Sequence, residues 1–178
     1  MADLWVFGYG SLMWRPGFSY AEACPARLYG EHRSLCVLSY VHRGTRERPG
    51  LVLGLDRGGS CRGVAFRVAD TDRDATLAYL RARELVTSVY HEVIRPVRLL
   101  GGAEVAAVTY VVDRNHEQYA GKLSREDVLR LVRDSSGVSG ANRDYVLATA
   151  EHLAGVEISD RLLMWLAGEL SRASGPAA

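Results

Sequence analysis

Several things are scarce in this chain. Of its 22 basic residues a single one, Lys122, is lysine, and 21 acidic residues leave a net charge of +1. So even a balance gives no general attraction to nucleic acid or to an anionic membrane, and the arginine excess reads as a codon bias. Cysteine is limited to Cys24, Cys36 and Cys61. Their odd number and wide spacing supply neither a disulfide framework nor a Cys-x-x-Cys half-site, so buried or half-buried thiols are expected. No apolar run is long enough for a membrane span, and the start has no basic leader, which makes the cytoplasm the expected compartment. The histidines, at 32, 42, 91, 116 and 152, have no zinc spacing, so no metal site is expected. A Walker A sequence and a G-x-S-x-G elbow are absent, and Gly8-Tyr9-Gly10 lacks the third glycine of a dinucleotide fingerprint. The Asp70-Thr71-Asp72-Arg73-Asp74 stretch begins like a calcium loop but carries Ala75 and Arg81 where that loop needs Gly and Glu.

What is present describes an ordinary globular protein. With 178 residues, 48% of them hydrophobic and 24% charged, the chain can bury a core of its own, and disorder, a coiled coil and a histone-like binder are excluded. A single domain over residues 1–170 is expected, followed by a flexible tail at 171–178 rich in Ser, Ala, Gly and Pro. Short β-type runs at residues 4–9, 34–41, 51–55, 61–68 and 104–112 dominate the first two thirds. A further β-rich run at 86–99 is interrupted by Pro96, which suits an edge or a bend. Helical patterns occupy 72–84, capped by Asp70 or Asp72, then 124–133, capped by Ser124 with Asp127 at N3, then 142–153 and 160–170. Strands first and helices last point to an α+β fold rather than a doubly wound sheet.

Three features could carry chemistry. Gly8-Tyr9-Gly10-Ser11 follows a buried strand, and its paired glycines allow backbone amides to approach an anion; a plain strand-exit turn has the same composition. Glu84 lies in line with Leu77 and Leu80 on the face of a helix that should be buried. A carboxylate there either pairs with an arginine such as Arg81 or Arg83, or is desolvated with a raised pKa, the condition a proton-shuttling carboxylate needs near neutrality. In Ser139-Gly140-Ala141-Asn142-Arg143-Asp144-Tyr145, Asn142 can cap a helix that puts Tyr145 in its first turn, either as a core residue or with its hydroxyl in a cleft.

Taken in order, these segments resemble the ChaC family of γ-glutamylcyclotransferases, its glutathione-specific bacterial branch, over residues 6–163. The resemblance rests on Val6-Phe7-Gly8-Tyr9-Gly10-Ser11-Leu12-Met13-Trp14, His42-Arg43-Gly44-Thr45 with Pro49-Gly50, Gly63-Val64-Ala65-Phe66-Arg67, Arg83-Glu84, His116-Glu117-Gln118-Tyr119-Ala120-Gly121, and Ser139-Gly140 with Asn142-Arg143-Asp144-Tyr145. Ser88 departs from it, standing where bacterial members usually carry Gly. The resemblance implies a small barrel-like sheet flanked by helices and cofactor-free cleavage of glutathione into 5-oxoproline and Cys-Gly. It also implies Glu84 as general base and acid, with substrate held by Val6, Phe7, Gly8, Tyr9, Gly10, Ser11 and Tyr145. Glu92 is the next candidate base. Other γ-glutamyl amino acids or γ-glutamylamines are alternative substrates, and a non-catalytic glutathione-binding regulator is an alternative from another class. A monomer is expected, without nucleic-acid or membrane partners; the Arg46-Glu47-Arg48 stretch reads as a solvated loop.

Overall fold

In the computed structural model, described over residues 3–172, the long hydrophobic-alternating stretches become strands. They are β1 (Leu4–Gly8), β2 (Glu22–Ser39), β3 (Gly50–Val68), β4 (Tyr90–Leu99) and β5 (Glu104–Val112). These five close into a barrel in the order β1-β3-β2-β4-β5. Four helices, α1 (Arg73–Glu84), α2 (Arg125–Asp134), α3 (Asn142–Gly155) and α4 (Arg161–Arg172), complete the regular structure with a short hairpin of β6 (Ser136–Gly137) and β7 (Gly140–Ala141). The expected α+β class with a barrel-like sheet is therefore what the chain forms. Of the expected tail, Ser171 and Arg172 belong to α4, and 173–178 lie outside the described residues.

The chain divides into two compact units, residues 1–34 with 54–117 and residues 35–53 with 118–178, and the division falls inside both long strands. In the first unit β4 pairs with β5 along its whole length, from Tyr90↔Val112 to Arg98↔Glu104. Its register with β2 is shorter, Ala26↔Leu99 to Leu28↔Val97. Pro96 therefore falls one residue past the β2 ladder, while it stays paired with Ala106 of β5. Outside the sheet, α1 docks by Leu80 onto Leu4, Val6, Leu12, Val68, Val108 and Tyr110. Burying Leu80 completely stabilises this packing by about 1.5–3 kcal/mol.

The second unit is built on α2, α3 and α4, which pack on one another and bury Val128, Val132, Val146, Leu153, Leu163, Leu166 and Leu170. Ser124 caps α2 as its spacing predicts, accepting from the Asp127 N–H at 3.1 Å. Asn142 does not cap α3. Ala141 holds that position, and Asn142, fully buried, satisfies β3 instead: its Oδ1 accepts from the Leu51 N–H at 2.7 Å and its Nδ2 donates to the Leu51 carbonyl at 2.8 Å. Asp72 precedes α1 but makes no side-chain cap bond.

Two elements exceed their sequence signal. β2 begins at Glu22, where Pro25, Gly30 and several charges obscure an alternation that buries only Ala26 and Leu28. β3 passes without a break through Arg57-Gly58-Gly59-Ser60, with both glycines in the left-handed region at φ 102° and 70°.

Asn142→Ala strands a buried donor and a buried acceptor on Leu51. The expected loss is about 2–4 kcal/mol, seen as a fall in Tm of roughly 5–15 °C. A thermal melt within 2 °C or so of wild type would contradict this reading.

Candidate active site

β1 delivers the glycine-bounded loop. Its ladders with β3 and β5 include Gly8↔Val64 and Val6↔Val108, and beyond Gly8 the chain turns through a 3-10 turn at Ser11–Met13. The Met13 N–H donates to the Gly10 carbonyl at 2.9 Å. The amides of Ser11 and Leu12 come ahead of that bond, where a helical turn leaves its N–H groups without internal acceptors. Guanidinium and hydroxyl donors fix the strand exit. Arg33 donates to the Tyr9 carbonyl at 2.7 Å and to the Arg62 carbonyl at 2.6 Å, and the Thr109 hydroxyl donates to the Phe7 carbonyl at 3.0 Å. Gly63 is required beside them, because a Cβ there would run into the Gly8 carbonyl and the Phe7 ring.

Of the loop residues expected to bind substrate, Val6 and Phe7 have fully buried side chains, and Val6 belongs to the apolar cluster under α1. Gly8, Tyr9 and Gly10 are also buried, while Ser11 is exposed. Any contact from Val6 or Phe7 to a ligand would thus be made by backbone.

Glu84 is the last residue of α1. It follows Leu80 by one helical turn, so the packing that buries Leu80 also draws Glu84 toward the barrel. Its side chain keeps only 20% of its exposure. Burial raises the carboxyl above its ordinary value, while the neighbouring Arg83 cation acts in the opposite direction. The negative end of the helix dipole further disfavours the anion at this position.

Arg83 reaches both parts of the site. Its Nε lies 3.2 Å from Glu84 Oε1, its Nη2 donates to the Ser11 hydroxyl oxygen at 2.8 Å, and its Nη1 donates to the Arg15 carbonyl at 2.7 Å. The same Nη1 lies 3.1 Å from the Tyr79 hydroxyl oxygen. Gly17 completes this corner with φ 77°, and a side chain there would strike Tyr79.

Glu92 is differently placed. Arg81 grips both its oxygens, at 2.9 and 2.7 Å, and the Tyr110 hydroxyl donates to it at 3.1 Å. These bonds, the Arg81 bond foremost, hold its carboxyl below the ordinary range. Burial and the charges of Glu92 and Glu84 push the Tyr110 phenol well above its usual value. The two carboxylates are thus driven in opposite directions, which singles out Glu84 as the stronger base.

Tyr145 belongs to the second unit. Its hydroxyl accepts from the Leu53 N–H at 3.1 Å, and the Arg43 guanidinium lies over its ring at 5.5 Å. Among the described residues no group of three or more His, Cys, Asp or Glu converges as metal ligands, and no helix is long and apolar enough to cross a membrane.

In the sequence Arg83 stands out only as a possible ion-pair partner of Glu84. Adjacent helical residues point about 100° apart, so spacing gave no sign that Arg83 would fold back on its neighbour and on the loop as well. Arg33 left no signal, lying in the stretch of β2 that did not read as strand.

This closed barrel with its helices has solved counterparts. The fold is that of a glutathione-specific γ-glutamylcyclotransferase from yeast, whose crystal structure superposes with a TM-score of 0.85 at 21% identity, covering 97% of each chain. Residues 4–172 match the family described as ChaC-like protein, and the chain belongs to that family. The glutathione-specific γ-glutamylcyclotransferase of Escherichia coli K12 is 32% identical, with 88% of this chain and 68% of the relative aligned. The glutathione-specific γ-glutamylcyclotransferase 1 of Danio rerio is 34% identical over 85% of this chain and 80% of its own.

Ser88, four residues past Glu84, has φ 58°. The backbone there takes the left-handed conformation that glycine adopts without strain, so the serine keeps the shape and bears its cost. Ser88→Gly is expected to stabilise the protein by up to about 1 kcal/mol, the relief of strain being partly offset by a more flexible unfolded chain. Urea unfolding checks this, and a lower midpoint for the variant would contradict it.

Proposed function

We propose that this protein is a γ-glutamylcyclotransferase that cleaves glutathione into 5-oxoproline and Cys-Gly. In this reading the α-ammonium of the γ-glutamyl group gives a proton to Glu84, and the freed amine attacks the γ-amide carbonyl carbon. A carbon–nitrogen bond forms, closing the five-membered ring. The tetrahedral centre then collapses: Glu84 returns the first proton to the cysteinyl nitrogen as its bond to carbon breaks, and the second proton, shed by the ring nitrogen, passes by the same carboxylate to the departed amine, which leaves as an ammonium. Nothing is oxidised or reduced and no water is consumed, so the chemistry requires no cofactor.

The observation that carries this reading is the state of Glu84. It is partly withdrawn from water, its pKa is raised by that burial, and Arg83 ties it to Ser11 of the glycine-bounded loop. A carboxyl raised toward neutrality can both take and return a proton, an effect worth about 10²- to 10⁴-fold. The amides that open the Ser11–Met13 turn would serve the substrate carboxylate or the oxyanion, aiming dipoles where charge develops. Holding amine and carbonyl together contributes as much again, since effective molarity can supply roughly 7–11 kcal/mol. The names of the relatives from Escherichia coli and Danio rerio support glutathione as the substrate. A cytoplasmic monomer acting on this small molecule, without nucleic-acid or membrane partners, completes the proposal.

Glu84→Gln is close to isosteric and should fold, yet lose 5-oxoproline production by about 10²-fold or more. Near wild-type turnover by this variant would remove Glu84 from the mechanism. Glutathione assayed beside γ-Glu-Ala and γ-glutamyl-lysine fixes the substrate, and EDTA should leave the rate unchanged.

The same residue makes a stability prediction. Its folded pKa is raised, so its favourable contribution is complete below the unfolded value and is lost as pH rises through the folded one. Glu84→Gln abolishes that loss. Relative to wild type, the variant should melt higher at about pH 8 than at about pH 4, and a difference that does not vary with pH would contradict the raised value.

A further inference from the structure

We infer that Arg83 is a positioning residue that couples the loop to the base: one guanidinium holds the Ser11 hydroxyl and the Arg15 carbonyl while resting against the Glu84 carboxylate. This inference rests on the proposed role of Glu84 and deepens it. The geometry is specific to an arginine. Nε faces Glu84 Oε1 at 3.2 Å, Nη2 faces Ser11 Oγ at 2.8 Å, and Nη1 faces the Arg15 carbonyl at 2.7 Å with the Pro16 carbonyl at 3.3 Å. Three nitrogens of a rigid plane thus address two separate pieces of the site, so the distance between base and loop is set by the guanidinium itself. A lysine ammonium is a single point on a flexible stem and cannot span both.

The coupling has an electrostatic side. Burial raises the Glu84 carboxyl, and the Arg83 cation restrains that rise. Without the cation the carboxyl would need a higher pH to ionise, and less of it would be in base form near neutrality. The other groups facing this corner do not substitute for Arg83. Tyr110 on β5 senses the charge of Glu84, but its hydroxyl is bonded to Glu92 on β4. Arg81 on α1 has its Nε and Nη2 engaged by the two oxygens of Glu92.

A merely structural arginine would move stability alone. Glutathione turnover across pH should be measured for wild type, Arg83→Gln and Arg83→Lys, with thermal melts as controls. Arg83→Gln is expected to shift the acidic limb of kcat/KM to higher pH and to lower its plateau by about 10- to 100-fold, as misplaced groups do. Arg83→Lys keeps the positive charge and should hold the limb near wild type, yet should still lose about tenfold in kcat/KM because the loop is no longer fixed. An unmoved limb in Arg83→Gln overturns the electrostatic half, and wild-type kcat and KM in Arg83→Lys overturn the positioning half. Should Arg83→Gln fail to fold, Arg83→Met takes its place in the pH series under the same criterion.

A readout independent of turnover separates this inference from the proposed function. Carbon-13 NMR titration of labelled glutamate side chains, with Glu84 assigned through the Glu84→Gln spectrum, should show its midpoint moving up in Arg83→Gln. If Glu84→Gln still turns glutathione over, the proposed base is wrong whatever Arg83 does. If Glu84→Gln is inactive and the titration midpoint does not respond to Arg83→Gln, only the coupling is wrong.

Discussion

A carboxylate withdrawn from water at the negative end of a helix is an expensive group to keep, and the first unit is organised around keeping one. Glu84 terminates α1, where both desolvation and the helix dipole oppose its ionisation. Its position follows from Leu80, whose complete burial against Leu4, Val6, Val68 and Val108 fixes the rotation of the helix over the barrel. With Leu80 seated, the residue one turn later cannot face solvent freely. The apolar packing therefore does chemical work: it sets the solvation of an acid that touches none of those core side chains through a polar bond.

The loop linked to this acid through Arg83 is held by the opposite kind of interaction. Its residues from Gly8 to Gly10 are buried but contribute little apolar side chain beyond Tyr9, and two of its carbonyls, those of Tyr9 and Arg15, are taken up by charged donors. Arg33 holds Tyr9 from the barrel strand, and Arg83 holds Arg15 from the helix. Hydrogen bonds from a charged donor are stronger than neutral ones and directional. Glycine at 63 then lets the neighbouring strand approach the loop carbonyls without a side chain between them.

How much of this could be read from residues alone depends on whether the signal was local. The α2 start was legible because Ser124 and Asp127 satisfy each other within one turn. Glu84 was legible because a charge in register with Leu77 and Leu80 breaks an apolar face. Asn142 has the sequence signature of a cap, yet its partner, Leu51, is 91 residues away. The length of β2 was missed because its polar half sits where a barrel exposes alternate residues, so its composition resembles a loop. Arg81 and Arg83 were equivalent in the sequence, two arginines beside one glutamate. Only the fold gives Glu92 to the first and Glu84 with Ser11 to the second.

Family membership, the α+β class and the identity of the exceptional carboxylate were thus present in the order and type of residues, because helix periodicity and short motifs are local properties. The electrostatic condition of that carboxylate was not. Whether a glutamate is paired, desolvated or both depends on which distant side chains the barrel closure brings against it. That closure is an outcome of strand pairings such as Val6↔Val108 and Glu92↔Tyr110, separated along the chain and joined only in three dimensions.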